Sequence, residues 1–151
     1  MQMYTFSEHT ELILRGAGWE PERRIDTTSF RRYLVGQGYP YHEAVDRFLQ
    51  EFGNLHISYP RLNAPPNRGD IDIYPLDAAE AAWFENVWMS SQEIGKSLCV
   101  VGSVDQAVVD LLMAEDAYTY ADYSGILYLA GVSGEEALEN IISGKKLPRL
   151  N

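Results

Sequence analysis

The apolar residues of this chain change period near Gly53, and that change limits the folds open to it. Upstream they recur at helical spacing: Ala44, Val45, Phe48, Leu49 and Phe52 form one stripe that predicts a helix, with Gly53 as the expected left-handed residue ending it. Downstream the period falls to two. Leu55-His56-Ile57-Ser58-Tyr59 alternates up to Pro60, and Asp70-Ile71-Asp72-Ile73-Tyr74 alternates again, with the isoleucines on one face and the carboxylates on the other. Arg61 to Gly69, with Pro65-Pro66, reads as a loop, so these strands are expected to form a hairpin with a long connection.

Two shorter helices are expected before the stripe. Ser7 is a plausible N-cap for a helix through Leu12, Ile13 and Leu14 that Gly16 and Gly18 stop. A second start lies between Asp26 and Ser29, with Phe30, Tyr33 and Leu34 at helical spacing before Gly36-Gln37-Gly38. After the hairpin, Asp77-x-x-Glu80 has the form of a capping box, and Trp83, Phe84, Val87 and Trp88 give its helix an aromatic face expected to be core. The uninterrupted run Leu98 to Val101 predicts a central strand buried on both faces, and Val108 to Met113, Tyr118 to Asp122 and Ile126 to Leu129 add further strands. Ser133-x-x-Glu136 is a second capping box, with Ala137, Leu138, Ile141 and Ile142 as the stripe and Gly144 as the stop. Helices cluster first and strands sit together. The expected class is therefore α+β, an antiparallel-rich sheet with helices packed around it, in a single domain over residues 1–151.

Several chemistries are excluded or disfavoured. The one cysteine, Cys99, cannot form an internal disulfide, and it lies in an apolar run that predicts an inert buried thiol. His9, His42 and His56 are scattered over three elements and lack the spacing of a zinc site. Asp70 and Asp72, with Asp105, Asp110, Glu115 and Asp116, lack the offsets and central glycine of a calcium loop. There is no P-loop, no Gly-x-Ser-x-Gly, no His-Glu-x-x-His and no strand followed by Gly-x-Gly-x-x-Gly. Neither a catalytic constellation nor a cofactor site is expected. The first residues show no basic segment leading into an apolar one, and no apolar run is long enough to span a bilayer, so the chain is expected to be soluble and cytoplasmic.

Charge is distributed unevenly. Residues 1–68 carry 8 basic and 8 acidic side chains, residues 69–144 carry 14 acidic ones and only Lys96, and the end adds Lys145, Lys146 and Arg149. An acidic surface repels nucleic acid and anionic bilayers and attracts basic partners. The segment from Glu115 to Tyr123 sets tyrosines among carboxylates, and period-two geometry puts Tyr118, Tyr120 and Asp122 on one strand face. Tyrosines beside carboxylates supply flat contact area and hydrogen-bonding tips of the kind enriched in binding hot spots, although cross-strand packing in an ordinary sheet accounts for the same pattern. The candidate partner-binding residues are Asp70, Asp72, Asp105, Asp110, Glu115, Asp116, Tyr118, Tyr120, Asp122 and Tyr123.

The order of segments, FSEHTELILRGAGW, a helix ending GYP, AVDRFLQEFGNLHI, GKSLCVVGSV and YLAGVSGEEALENIISGKK, resembles the SUKH superfamily and its SUKH-3 group in particular. The resemblance runs from about Phe6 to Lys145 and rests on structural signatures such as Ala17-Gly18-Trp19, Phe52-Gly53 and Gly131 to Glu139. It implies a small α+β immunity protein of bacterial polymorphic toxin systems, which binds a cognate toxin, often a nuclease or nucleobase deaminase, in the cytoplasm. The fungal Smi1/Knr4 relatives imply an alternative, an interaction scaffold with no toxin. No catalytic residue is implied, and the loop over residues 61–69 has no counterpart in the group's pattern.

Overall fold

The computed structural model describes residues 4–62 and 67–151. Among the described residues, three helices come first: α1 (Glu8–Gly16), α2 (Thr28–Gly36) and α3 (Glu43–Phe52). Strands β1 (His56–Pro60) and β2 (Arg68–Asp72) follow, then α4 (Pro75–Ala81) and α5 (Phe84–Ile94). Strands β3 (Leu98–Val104), β4 (Val109–Ala114), β5 (Thr119–Tyr123) and β6 (Ile126–Gly131) lead to α6 (Gly134–Ile142). The strands form one antiparallel sheet in chain order, β1 to β6, so the class is α+β as the period switch predicts.

Helices cover both faces of the sheet. Ser90 of α5 donates to Asp122 of β5, which places α5 over the face bearing Asp110 and Asp122. Gly134, at the start of α6, lies against Phe48 of α3 and Met113 of β4, so α3 and α6 meet the opposite face. On that side Phe6, Trp19, Phe48 and Phe52 form an aromatic cluster, with Trp19 stacked on Phe52 at 6.2 Å between ring centroids. Every residue of β3 is buried, as expected of a central strand. The chain end lies along the β6 edge, where the Leu129 and Leu150 amides donate to the Pro148 and Leu127 carbonyls, satisfying groups that an open edge would leave unpaired.

Local expectations hold or fail for physical reasons. Ser7 accepts from the Thr10 amide and Ser133 from the Glu136 amide, so both act as N-caps. Gly53 is not left-handed; its φ is −58° and Asn54 makes the turn at φ 64°. Glycine is required there for space, because a Cβ would lie 2.5 Å from the Leu49 carbonyl oxygen and 2.8 Å from Phe30 Cε2. The capping box at Asp77 does not form. Helix α4 is capped by Tyr74, three residues before Asp77, and starts at Pro75, whose fixed φ and missing amide hydrogen suit the first turn. Nor does one helix run from Asp77 through Trp88, since Ala82 and Trp83 are extended and separate α4 from α5. The Pro65-Pro66 part of the expected loop lies outside the described residues.

Candidate partner-binding surface

The acidic and tyrosine candidates fall into three places. Asp70 and Asp72 project from β2 toward His56 of β1, which bonds to Asp72 through Nδ1 and lies 3.8 Å from Asp70 through Nε2. The hydrogen bond to Asp72 holds the imidazole above its ordinary pKa. Nearby, Asp105 opens the β3–β4 turn, where Asp105, Gln106 and Ala107 all take positive φ. Arg61 holds that strained turn with a 2.6 Å contact to Asp105 Oδ1.

Asp110 and Asp122 face each other in register across β4 and β5. Asp122 is 6% exposed and accepts from Ser90 Oγ at 3.0 Å and from the Gly125 amide at 2.8 Å. Burial, with added repulsion from Asp122, pushes the Asp110 carboxyl up to about 6. Among the described residues no basic side chain forms an ion pair with either. Both border a hollow of about 500 Å³ whose other wall is Asn86, Met89 and Glu93 of α5.

The third place is the β4–β5 turn. Lys96, just past the end of α5, donates to Asp116 at 2.7 Å, and its ammonium lies 3.9 Å from the Tyr118 ring centroid and 5.7 Å from that of Tyr120. Burial alone would raise the Asp116 carboxyl, but the bonds from Lys96 and the Tyr118 amide carry it below its usual range. Glu115 is exposed beside it. Tyr120 is buried, Tyr118 is half-buried, and Tyr123 is exposed on the opposite face.

Helix α5 lies between the second and third places and presents what the sequence reading missed. Its buried residues are Val87 and Ser90, while Trp83 is 70% exposed, Trp88 54%, Met89 62% and Phe84 37%. Of the expected core face only Val87 is buried, and its aromatic members are exposed. Trp83 is extended and stands outside the helix as its N-cap, and the buried face runs through Val87 and Ser90, so Phe84 and Trp88 flank that face instead of filling it. Phe84 and Trp88 also border a second hollow, of about 600 Å³, with Tyr39 and Lys96. Three tryptophans occur in the chain, and only Trp19 is buried. Cys99 is fully buried, and burial pushes its thiol up to about 12, far from the range of a nucleophile. Among the described residues no group of His, Cys, Asp and Glu is placed to hold a metal ion, and no helix is long and apolar enough to cross a membrane.

Residues 6–144 match the SUKH-3 immunity protein family. The chain belongs to that family. No curated protein and no solved structure matches it. The SUKH-3 match opens on Phe6 of the aromatic cluster and closes at Gly144 beyond α6, so it encloses α5 and every acidic and tyrosine candidate.

Proposed function

We propose that this chain neutralises a cognate protein toxin by binding it, and that the toxin acts on nucleic acid, as a nuclease or a nucleobase deaminase. Membership of the SUKH-3 immunity protein family carries the reading. The charge distribution supports the kind of target: an enzyme that handles nucleic acid needs a basic groove, and 14 acidic residues against one lysine between residues 69 and 144 complement it. The protein works by occupancy, with no reaction of its own, no cofactor and no direct contact with nucleic acid or membrane, as one domain in the cytoplasm. Arg61, Lys96 and His56 already engage Asp105, Asp116 and Asp72, which leaves the carboxylates around α5 as the more open negative surface.

Co-expression tests the reading. Cells producing the toxin encoded beside this gene should grow when the protein is present and die without it, and the purified pair should form one tight complex. Equal killing in both cases overturns the proposal. Recovery of several host proteins in place of one toxin would favour the scaffold alternative.

A further inference from the structure

We infer that the outer face of α5 is the surface that docks the partner, and that the occupant is a basic protein segment laying apolar side chains on Trp83, Trp88 and Met89 while its arginines or lysines meet the carboxylates alongside. The inference rests on the toxin-binding reading and names the surface it uses. Trp83 at the N-cap of α5 and Trp88 and Met89 within it are each more than half exposed, Trp88 bordering the hollow on one side of the helix and Met89 that on the other, and exposed apolar side chains rimmed by polar groups mark a contact site. Tryptophan is also the residue most enriched where binding energy concentrates.

The rim decides what fits. Asp77, Glu80, Glu85 and Glu93 on α4 and α5 are all exposed, and none forms an ion pair with a described residue. No lysine, arginine or histidine occurs from Gly69 to Gly95. Below Met89, the facing pair Asp110 and Asp122 gives the neighbouring hollow a negative floor. A second copy of this chain fits badly, because a two-fold contact sets the same acids against each other. An anionic bilayer is repelled by them, although tryptophan and methionine on a helix would otherwise suit a membrane surface. A basic protein surface satisfies both the exposed apolar side chains and their rim, since a guanidinium also stacks on indole.

The test uses the full chain and the toxin domain encoded beside its gene. Affinity and association rate are measured for wild type, W88A, the W83A/M89A double variant, E85Q/E93Q, and L12A as a control at another exposed apolar site, 66% exposed on α1. Circular dichroism and thermal melting check folding, which these exposed positions should leave unchanged. The expected result is a loss of about 30-fold or more in affinity for W88A and for W83A/M89A, a slower and less salt-sensitive association for E85Q/E93Q, and no more than about a twofold change for L12A. Wild-type affinity in W88A and W83A/M89A overturns the inference while the immunity reading stands. So does a wild-type dimer, seen by light scattering, that W88A dissociates with toxin affinity intact, since this face of α5 then serves self-association. A wild-type protein that neither binds nor protects defeats the immunity reading, and the docking inference with it.

Discussion

Asp110 shows how one side chain can oppose the fold that holds it. It is half-buried opposite a second carboxylate, Asp122, with Glu93 bordering the same hollow and no described cation in an ion pair with either aspartate. Like charges directly opposite on a sheet are destabilising. The folded carboxyl titrates at about 6 against 3.8 for an ordinary aspartate, so the folded state holds the proton more tightly than the unfolded one. Its contribution to stability is therefore fully present below pH 3.8 and is lost as pH rises through about 6. Asp110→Asn should stabilise the protein at pH 7 by about 1 kcal/mol, once the partial exposure of the site is allowed for, and should flatten the pH dependence in that window. Urea unfolding of wild type and variant across the window measures both effects; an unchanged slope would show that Asp110 does not carry it. A residue kept at such a cost fits a surface that a cationic partner completes.

At the scale of elements, two contacts decide how helices and strands are fastened. Glu139 of α6 accepts from the Ser7 amide at 2.6 Å, from Ser7 Oγ at 3.0 Å and from Thr10 Oγ1 at 2.6 Å, tying the last helix to the cap of the first. Burial alone would raise its carboxyl, but these bonds hold it below the usual glutamate range. The stabilisation is thus present above pH 4.5 and is lost as pH falls through the depressed folded value. Glu139→Ala should cost about 1 to 2 kcal/mol at neutral pH, with amide exchange in α1 rising more than in β3. Gly102 follows a register shift in β3, and a Cβ there would lie 2.6 Å from the Asp72 carbonyl oxygen and 3.2 Å from Ile73 Cα. Gly102→Ala should therefore cost about 2 kcal/mol in denaturant unfolding by pushing β2 from β3.

Elements with a complete local signal were legible in the sequence. The α3 stripe, the alternation in β1 and β2, the apolar run of β3 and the serine caps of α1 and α6 each predict what forms, because burial pattern and hydrogen-bonding chemistry are both local there. Gly53 and the stretch from Asp77 to Trp88 depart from their local signals for a shared reason. A glycine kept for space looks like one kept for its φ, and two helices joined by two extended residues present the same apolar spacing as one. The exposure of Trp88 is hidden as well, since it lies one position from the buried Val87 and apolar spacing alone does not say which of the two faces the sheet. The grouping of the acids was hidden too, because strand order and register, which pair Asp110 with Asp122 and send Asp72 to His56, are tertiary facts.

For the whole molecule, a net charge of −10 matters less than where the charges lie. The acids of α4, α5 and the Asp110–Asp122 pair accompany the sheet face under α5, whereas Arg61, Lys145 and Lys146 line a hollow with Ala121 and Tyr123 on the other face. Charges act over about 8 Å at physiological ionic strength, so an approaching basic surface responds to the nearer face and hardly to the total. Lys145→Gln with Lys146→Gln takes the net charge from −10 to −12, and Glu80→Gln with Glu85→Gln takes it from −10 to −8. Steering by total charge would make the first pair associate faster with the toxin and the second slower, in similar proportion. Steering by the α5 face leaves the lysine variant within about twofold of wild type and slows the glutamate variant several-fold at low salt. Stopped-flow association rates across a series of ionic strengths separate the two, because only the glutamate variant should then lose slope against salt. Equal and opposite changes in the two variants would assign the steering to net charge and leave the face with no electrostatic part in the encounter.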